Sequence, residues 1–216
     1  YWITLALAFP AAGFLVRIFI IFHDCGHGSF FKSARANRIV GIIAGLLVYT
    51  PYHRWHFEHL RHHQTVGNLD KRGMGDVLTL TVEEYKASSP RKKLWYRLYR
   101  NPIILLIIVP FFLFTLIYRF PGEEQGWKVH WKTHLTTLVL ILLVTGISLL
   151  IGFKTFLLIQ VPVFLIASIA GVWLFYVQHQ YKDVTWERNE NWNYHDIAMQ
   201  GSSYYKLPRV LQFFSG

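Results

Sequence analysis

The apolar residues of this chain fall in long unbroken runs rather than at amphipathic spacing, and polar stretches rich in His, Arg and Lys separate them. A helix needs about 20 mostly apolar residues to cross a bilayer. Residues 1–22, interrupted only by Arg17, and the runs 135–151 and 156–177 meet or approach that length. Gly152, Phe153 and Lys154 join the last two, which reads as a tight turn in a helical hairpin. The run 39–49 is too short to cross and reads as re-entrant or interfacial. Residues 103–118 carry Pro110 in their middle, where a missing backbone donor weakens a helix. Trp and Tyr gather at the ends of these runs (Trp95, Tyr96, Tyr99, Tyr118, Trp127, Trp131, Trp173, Tyr176), as interfacial belts do. The expectation is an all-α, integral-membrane helical bundle forming one domain over 1–216, capped by the polar stretches 23–38, 53–102 and the segment from Lys182 onward.

Composition agrees with that pattern. Hydrophobic residues make up 53% and charged residues 16%, with a mean hydropathy of +0.28, whereas a soluble domain carries about 25% charged residues. The net charge of +10 admits nucleic acid, an anionic membrane leaflet or an acidic protein as partner. The basic residues flank apolar segments and build no nucleic-acid recognition module, so positive-inside loops on the cytoplasmic side are the better reading and no nucleic-acid partner is expected. The single cysteine, Cys25, precludes an internal disulfide framework and is compatible with a reducing compartment. The opening run has no charged n-region and no small-residue cleavage site, so it is not a signal peptide.

Histidine spacing changes the picture from a membrane domain to a metal site. His23-Asp24-Cys25-Gly26-His27 follows the first run directly, and on a helix its two histidines share one face, about 6 Å apart along the axis. His59-Leu60-Arg61-His62-His63 repeats the logic at i, i+3 and i+4. Neutral imidazole is a common metal ligand, and a pair one turn apart can grip a single ion. A lone membrane-facing histidine is more often structural or part of a proton relay. Two clusters at helical spacing beside apolar segments favour metal, since ionisable groups at a membrane are functional by default. A transporter moving zinc or protons predicts histidines on opposing spans, but 135–151 and 156–177 are almost free of ionisable groups.

These two clusters resemble the first and second histidine boxes of the membrane fatty acid desaturases, with a short apolar run between them as in that family. Gly75-Asp76-Val77, Thr81-Val82-Glu83-Glu84-Tyr85 and Trp173-Leu174-Phe175-Tyr176-Val177-Gln178-His179-Gln180 are similar to the branch that makes Δ12 (ω6) and ω3 unsaturated acyl chains, bacterial members above all. The resemblance implies that His23, His27, His59, His62 and His63 are iron ligands, joined by His179 at the end of the last spanning helix. It also implies two iron ions, O2 as co-substrate, membrane lipid acyl chains as substrate, and electrons from an external donor such as a ferredoxin-like protein. No nicotinamide or flavin fingerprint, haem motif or cysteine cluster supplies those electrons from within. The expected site is a bacterial plasma membrane, with the boxes in the cytoplasmic cap. An acyl or alkane hydroxylase or a carotenoid ketolase with the same iron site is the rival reading. The family carries a third His-x-x-His-His box after its last helix, and none occurs before Gly216. Six histidines fall short of the roughly eight donors two irons want, so the chain is expected to be cut short before that box, and the missing initiator Met implies a cut at the N-terminus too.

Topology adds an expectation. The boxes and His179 meet only if an even number of crossings separates them, so 103–118 should be re-entrant or interfacial. Arg91, Lys92, Lys93, Arg97 and Arg100 form a cationic surface that suits an acidic electron carrier or anionic lipid headgroups equally. His53, His56 and His195 are candidates to support the ligands from outside, and Asp24, Glu58, Asp70 and Asp196 to orient imidazoles. His130 and His134 read as residues of a far-side loop at the interface, and Cys25 as a small buried residue. Phe30, Phe31 and Trp55 either line an acyl tunnel or simply pack.

Overall fold

The computed structural model describes residues 1–73 and 75–216. Among them the chain is all-α, 71% helical with no strand, and its extended pairing is confined to an isolated bridge between Asn68 and Glu187. Three helices are long and apolar enough to cross a membrane: α1 (Trp2–Gly26), α7 (Trp127–Ile151) and α8 (Phe153–His179). Between α1 and α7 lie α2 (Ala34–Leu47), α3 (Tyr52–Thr65), α4 (Val82–Ala87), α5 (Pro90–Tyr99) and α6 (Val109–Thr115); α9 (Tyr194–Gln200) and α10 (Arg209–Ser215) follow α8. Segment Ile104–Arg119 reaches spanning length only together with α5, and the two are bent by 55°. Within it, a π-helical turn (Ile104–Ile108) directly precedes Pro110. The wider turn accommodates a ring that would otherwise crowd the carbonyl one turn back.

Several element boundaries differ from the apolar runs. α1 continues through the first histidine cluster, so His23 sits in its last turn and His27 caps it. α7 begins at Trp127, which puts His130 and His134 in its opening turns rather than in a loop. The turn between α7 and α8 is Gly152 alone, with φ +86°, because Phe153 and Lys154 already belong to α8. Only glycine adopts that backbone conformation without strain.

The chain divides into two compact units. The first comprises Tyr1–Phe57, Pro110–Gly171 and Leu207–Gly216. Its centre is aromatic: Phe22 is fully buried against Trp55 (ring centroids 4.6 Å) and Tyr52 (5.8 Å), while Phe19 meets Trp55 and Phe114 edge-on. Trp55 is buried in this centre, and Cys25 is buried as expected. The Tyr52 hydroxyl donates to the Cys25 carbonyl (3.1 Å), tying α3 to the end of α1. Buried Asn37 stitches the turn after α1, donating to the Gly28 and Phe31 carbonyls and accepting from the Phe31 amide. At the close approach of α2 to this core, a Cβ on Gly45 would lie 2.5 Å from the Thr50 carbonyl oxygen. Buried Arg54 donates to the carbonyls of Ile117 (2.5 Å) and Phe120, and Arg119 to those of Tyr49 and Phe114. Two guanidinium groups thus satisfy the loose carbonyls at a helix end and in a turn. Outward from this centre α1 and α7 present Phe9, Phe14, Leu138, Leu142 and Leu149, all exposed. An apolar surface on helices of this length suits lipid.

The second unit comprises Glu58–Val109 and Val172–Lys206. Thr81 and Glu84 form a capping box at the start of α4, and Ser89 with Pro90 opens α5. Phenolic oxygens of Tyr96 and Tyr99 accept from the Leu80 and Leu78 amides, which pins the preceding loop to α5. The chain after α3 pairs with the chain after α8: Leu69 donates to the Glu187 carbonyl and Glu187 to that of Gly67 (2.9 Å each), and Trp192 Nε1 reaches the Val66 carbonyl. Arg188 bridges Asp70 (2.5 Å) and Glu84 (2.9 Å), and Arg72 joins Glu84 at 2.7 Å.

This ion network gives the pairing an acid dependence. The Arg72 hydrogen bond above all holds the Glu84 carboxyl down, from an ordinary 4.5 to about 2. A carboxylate with a depressed folded pKa contributes stability that is complete above its unfolded pKa and lost as pH falls through the folded one. Amide protection at Leu69 and Glu187, corrected for intrinsic exchange, is therefore expected to fall between pH 4.5 and 2. In Glu84→Gln, protection should already be weaker at neutral pH and the acid dependence flatter. An unchanged acid profile in that variant would assign the dependence to another group.

Candidate metal centre

The histidines lie where helix periodicity puts them. At the end of α1 the rings of His23 and His27 are 4.6 Å apart, and His23 Nδ1 lies 3.2 Å from Asp24 Oδ1. A carboxylate accepts, so this contact places a hydrogen on Nδ1 and leaves His23 Nε2 as the donor atom for an ion. Burial first, then the neighbouring His23, lowers the pKa of His27 and favours its neutral form, the one that binds metal. His56 stacks on Tyr52 (5.7 Å), and burial lowers its pKa against the opposing effect of a hydrogen bond with the Gly26 backbone. It therefore supports the end of α1 beside His27. His53 is pushed down to about 4 by burial and then by Lys132, and stays neutral.

On the later turns of α3, His59 Nε2 and His63 Nε2 are 3.0 Å apart, one turn along the helix. His62, on the neighbouring stripe, is 1% exposed. Its Nδ1 is hydrogen-bonded to Asp76 Oδ1, and its Nε2 lies 3.2 Å from Nε2 of His179, the last residue of α8. His179 Nδ1 is 3.1 Å from the Gly201 carbonyl oxygen. Both oxygens accept, so each Nδ1 carries the hydrogen and each ring turns its Nε2 toward the other. An ion between these Nε2 atoms, 3.2 Å apart, would be held by both rings. Phe175 packs against both rings, 5.3 and 5.1 Å away, and limits their rotation.

The chain after α9 fixes the end of α8. The Ser203 amide donates to the Gln178 carbonyl (2.9 Å), its hydroxyl to that of Val177 (2.6 Å), and the Tyr181 hydroxyl to that of Gln200. The contact at Gly201 requires glycine, because a Cβ there would meet the Ile197 carbonyl oxygen at 2.5 Å. Imidazoles whose Nδ1–H is held by an oxygen acceptor, with Nε2 pointed outward, have the form metal-bound histidines take. Iron is among the ions imidazole suits, so the residues present fit the implied metal.

The structure sorts the acidic candidates differently from the sequence. Asp24 faces His23 as expected, but Asp70 is taken by Arg188 and the Asn189 amide, and Asp196 and His195 are exposed at the start of α9. Asp76, quoted above only as part of a resembling stretch, is the carboxylate on His62. Gly201 was given no role from the sequence at all, since nothing marks a backbone carbonyl that serves a histidine 22 residues earlier.

Comparison with known proteins adds relatives to this geometry. A family model described as fatty acid desaturase matches residues 1–216. The chain is 51% identical over 216 residues to a fatty acid desaturase of Bacillus subtilis (strain 168), covering 100% of this chain and 61% of that protein. It is 34% identical over 124 residues to an endoplasmic reticulum omega-3 fatty acid desaturase of Vigna radiata var. radiata, covering 57% of this chain and 30% of that one. An sn-1 acyl-lipid omega-3 desaturase (ferredoxin) of Nostoc sp. (strain 36) is 28% identical over 200 residues, covering 82% of this chain and 50% of that protein. The chain thus spans 61% or less of the length of these relatives.

Proposed function

The chain belongs to the fatty acid desaturase family, and from that premise we propose that it serves an oxygen-dependent desaturase placing a cis double bond of Δ12/ω6 or ω3 type in a membrane-held acyl chain. The observation that carries this reading is the facing pair of Nε2 atoms on His62 and His179, each ring oriented by an oxygen acceptor on its other nitrogen. His23, His27, His59, His62, His63 and His179 hold two iron ions in this reading. Bound iron supplies the O2-dependent redox chemistry that removes hydrogen from an unactivated methylene pair, which side-chain acid–base chemistry cannot do. The protein's own contribution is to keep the imidazoles aimed.

Two electrons per turnover come from outside the chain, from a ferredoxin-type donor; the name printed for the Nostoc relative includes ferredoxin. On α5, Arg91, Lys92 and Arg97 are exposed, and so are Leu94, Trp95 and Leu98. A short helix with both kinds of surface suits a position in the membrane interface. With the 55° bend after it, this supports a re-entrant or interfacial path for 103–118. The boxes then lie on the cytoplasmic side of a bacterial plasma membrane.

The test is the acyl-chain profile of a host expressing the complete gene with a ferredoxin and its reductase, with double bonds located by mass spectrometry. A new cis double bond that appears in air and not under anaerobic growth is expected. A hydroxylated or keto product would move the protein to the rival chemistry on the same ligands. No oxidised product, with the protein confirmed in the membrane, would end the desaturase reading.

A further inference from the structure

We propose that Asp76 is a positioning residue that locks His62 in its metal-binding tautomer and whose buried charge is balanced by the bound metal. The proposal deepens the metal reading above and rests on it. The approach of the Asp76 loop to α3 is built into the backbone. Gly75 adopts φ +73°, and a Cβ there would lie 3.0 Å from the His62 Cβ and 3.2 Å from the Glu58 carbonyl oxygen. A side chain at 75 would strain the backbone and hold the loop off the helix. Glycine lets the loop close, and the next residue delivers its carboxylate to His62 Nδ1.

Burial makes this contact more than a surface pair. The side chains of His62 and Asp76 are 1% and 4% exposed. Asp76 Oδ1 is used by His62, while Oδ2 is buried and has no hydrogen-bond partner among the described residues. A carboxylate removed from water with a single hydrogen bond is costly unless positive charge lies close by. A cation on His62 Nε2, one imidazole ring away, provides that charge. Asp24 on His23 differs, because at 41% exposure water still solvates it. Of Asp24 and Asp76, Asp76 is the one whose charge depends on the ion.

Asp76→Asn separates these roles from plain packing. It keeps the shape, removes the charge, and allows the amide to turn its NH2 toward Nδ1 and reverse the tautomer. Asp76→Ala removes the acceptor, and Asp76→Glu keeps the charge. Iron retained by the detergent-solubilised complete protein is titrated with a chelator. The half-stripping concentration is expected to fall about 10–100-fold for Asn and Ala, the range seen when a residue orienting a metal ligand is lost, with partial recovery for Glu. Metal-free Asp76→Asn should melt no lower than the metal-free parent, since an unbalanced buried charge has gone, whereas the iron-loaded variant should melt lower than the loaded parent. Equal chelator midpoints would overturn the proposal, as would an equal loss of melting temperature with and without metal. A parent protein that holds no iron at all would instead remove the metal reading beneath it, and the titration of the parent alone shows which has failed.

Discussion

His179→Ala is expected to lower double-bond formation at least about 100-fold, beyond the usual effect of losing an outer support of a metal ligand, and to reduce iron per chain in proportion. His179 is the sixth proposed ligand and stands outside both boxes. Its Nε2 faces that of His62 at 3.2 Å, and its other nitrogen is committed to the Gly201 carbonyl. Its removal takes away the Nε2 that faces His62. The matched control is His195→Ala, the same chemical change at an exposed position on α9. It should leave the acyl profile and iron content unchanged. Iron by elemental analysis and double bonds by mass spectrometry read the two effects separately. Parent-like iron and product in His179→Ala would remove this residue from the ligand set.

Arg54→Ala is expected to cost about 1–3 kcal/mol, because a buried guanidinium that donates to two carbonyls is removed. Arg54 is 7% exposed, donates to Ile117 and Phe120, and lies over the Tyr118 ring at 5.0 Å. The two carbonyls flank the 3-10 turn Ile117–Arg119; that of Ile117 also accepts from the Phe120 amide (3.1 Å). Thermal unfolding of the detergent-solubilised protein, followed by circular dichroism, measures the loss. Arg54→Lys should recover part of it, since an ammonium cannot reproduce a planar fork of donors. If Arg54→Ala melts with the parent, the turn draws its stability from elsewhere.

The apolar runs located the three long helices because spanning length is a property of composition alone, and burial or pairing need not be known to see it. Their ends were less legible. Trp127 to His134 mixes aromatic and basic residues, so the first two turns of α7 resemble a loop by composition while hydrogen-bonding as helix. The π-helical turn before Pro110 was invisible because any apolar residue fills it. The ligand candidates were legible for the reason that i, i+3 and i+4 spacing survives in sequence. Their orienting partners were not, because a carboxylate goes to whichever donor the tertiary fold brings near. Asp70 and Asp196 were candidates from the sequence and Asp76 was not. Asp70 finds Arg188, Asp196 finds solvent, and only Asp76 is carried to His62, by a glycine whose positive φ the sequence alone does not reveal.

The two facing imidazoles are held by unlike means. A side-chain carboxylate orients His62, and one codon can lengthen it, neutralise it or remove it. A main-chain carbonyl orients His179, and every amino acid carries that group. Inheritance can therefore retune the first contact in single steps, whereas the second changes only when the path of the chain around Gly201 changes. A side-chain survey would register Asp76 and pass over its counterpart. Seeing that contact requires a backbone edit, such as an amide-to-ester exchange that weakens the Gly201 carbonyl as an acceptor while leaving every side chain in place.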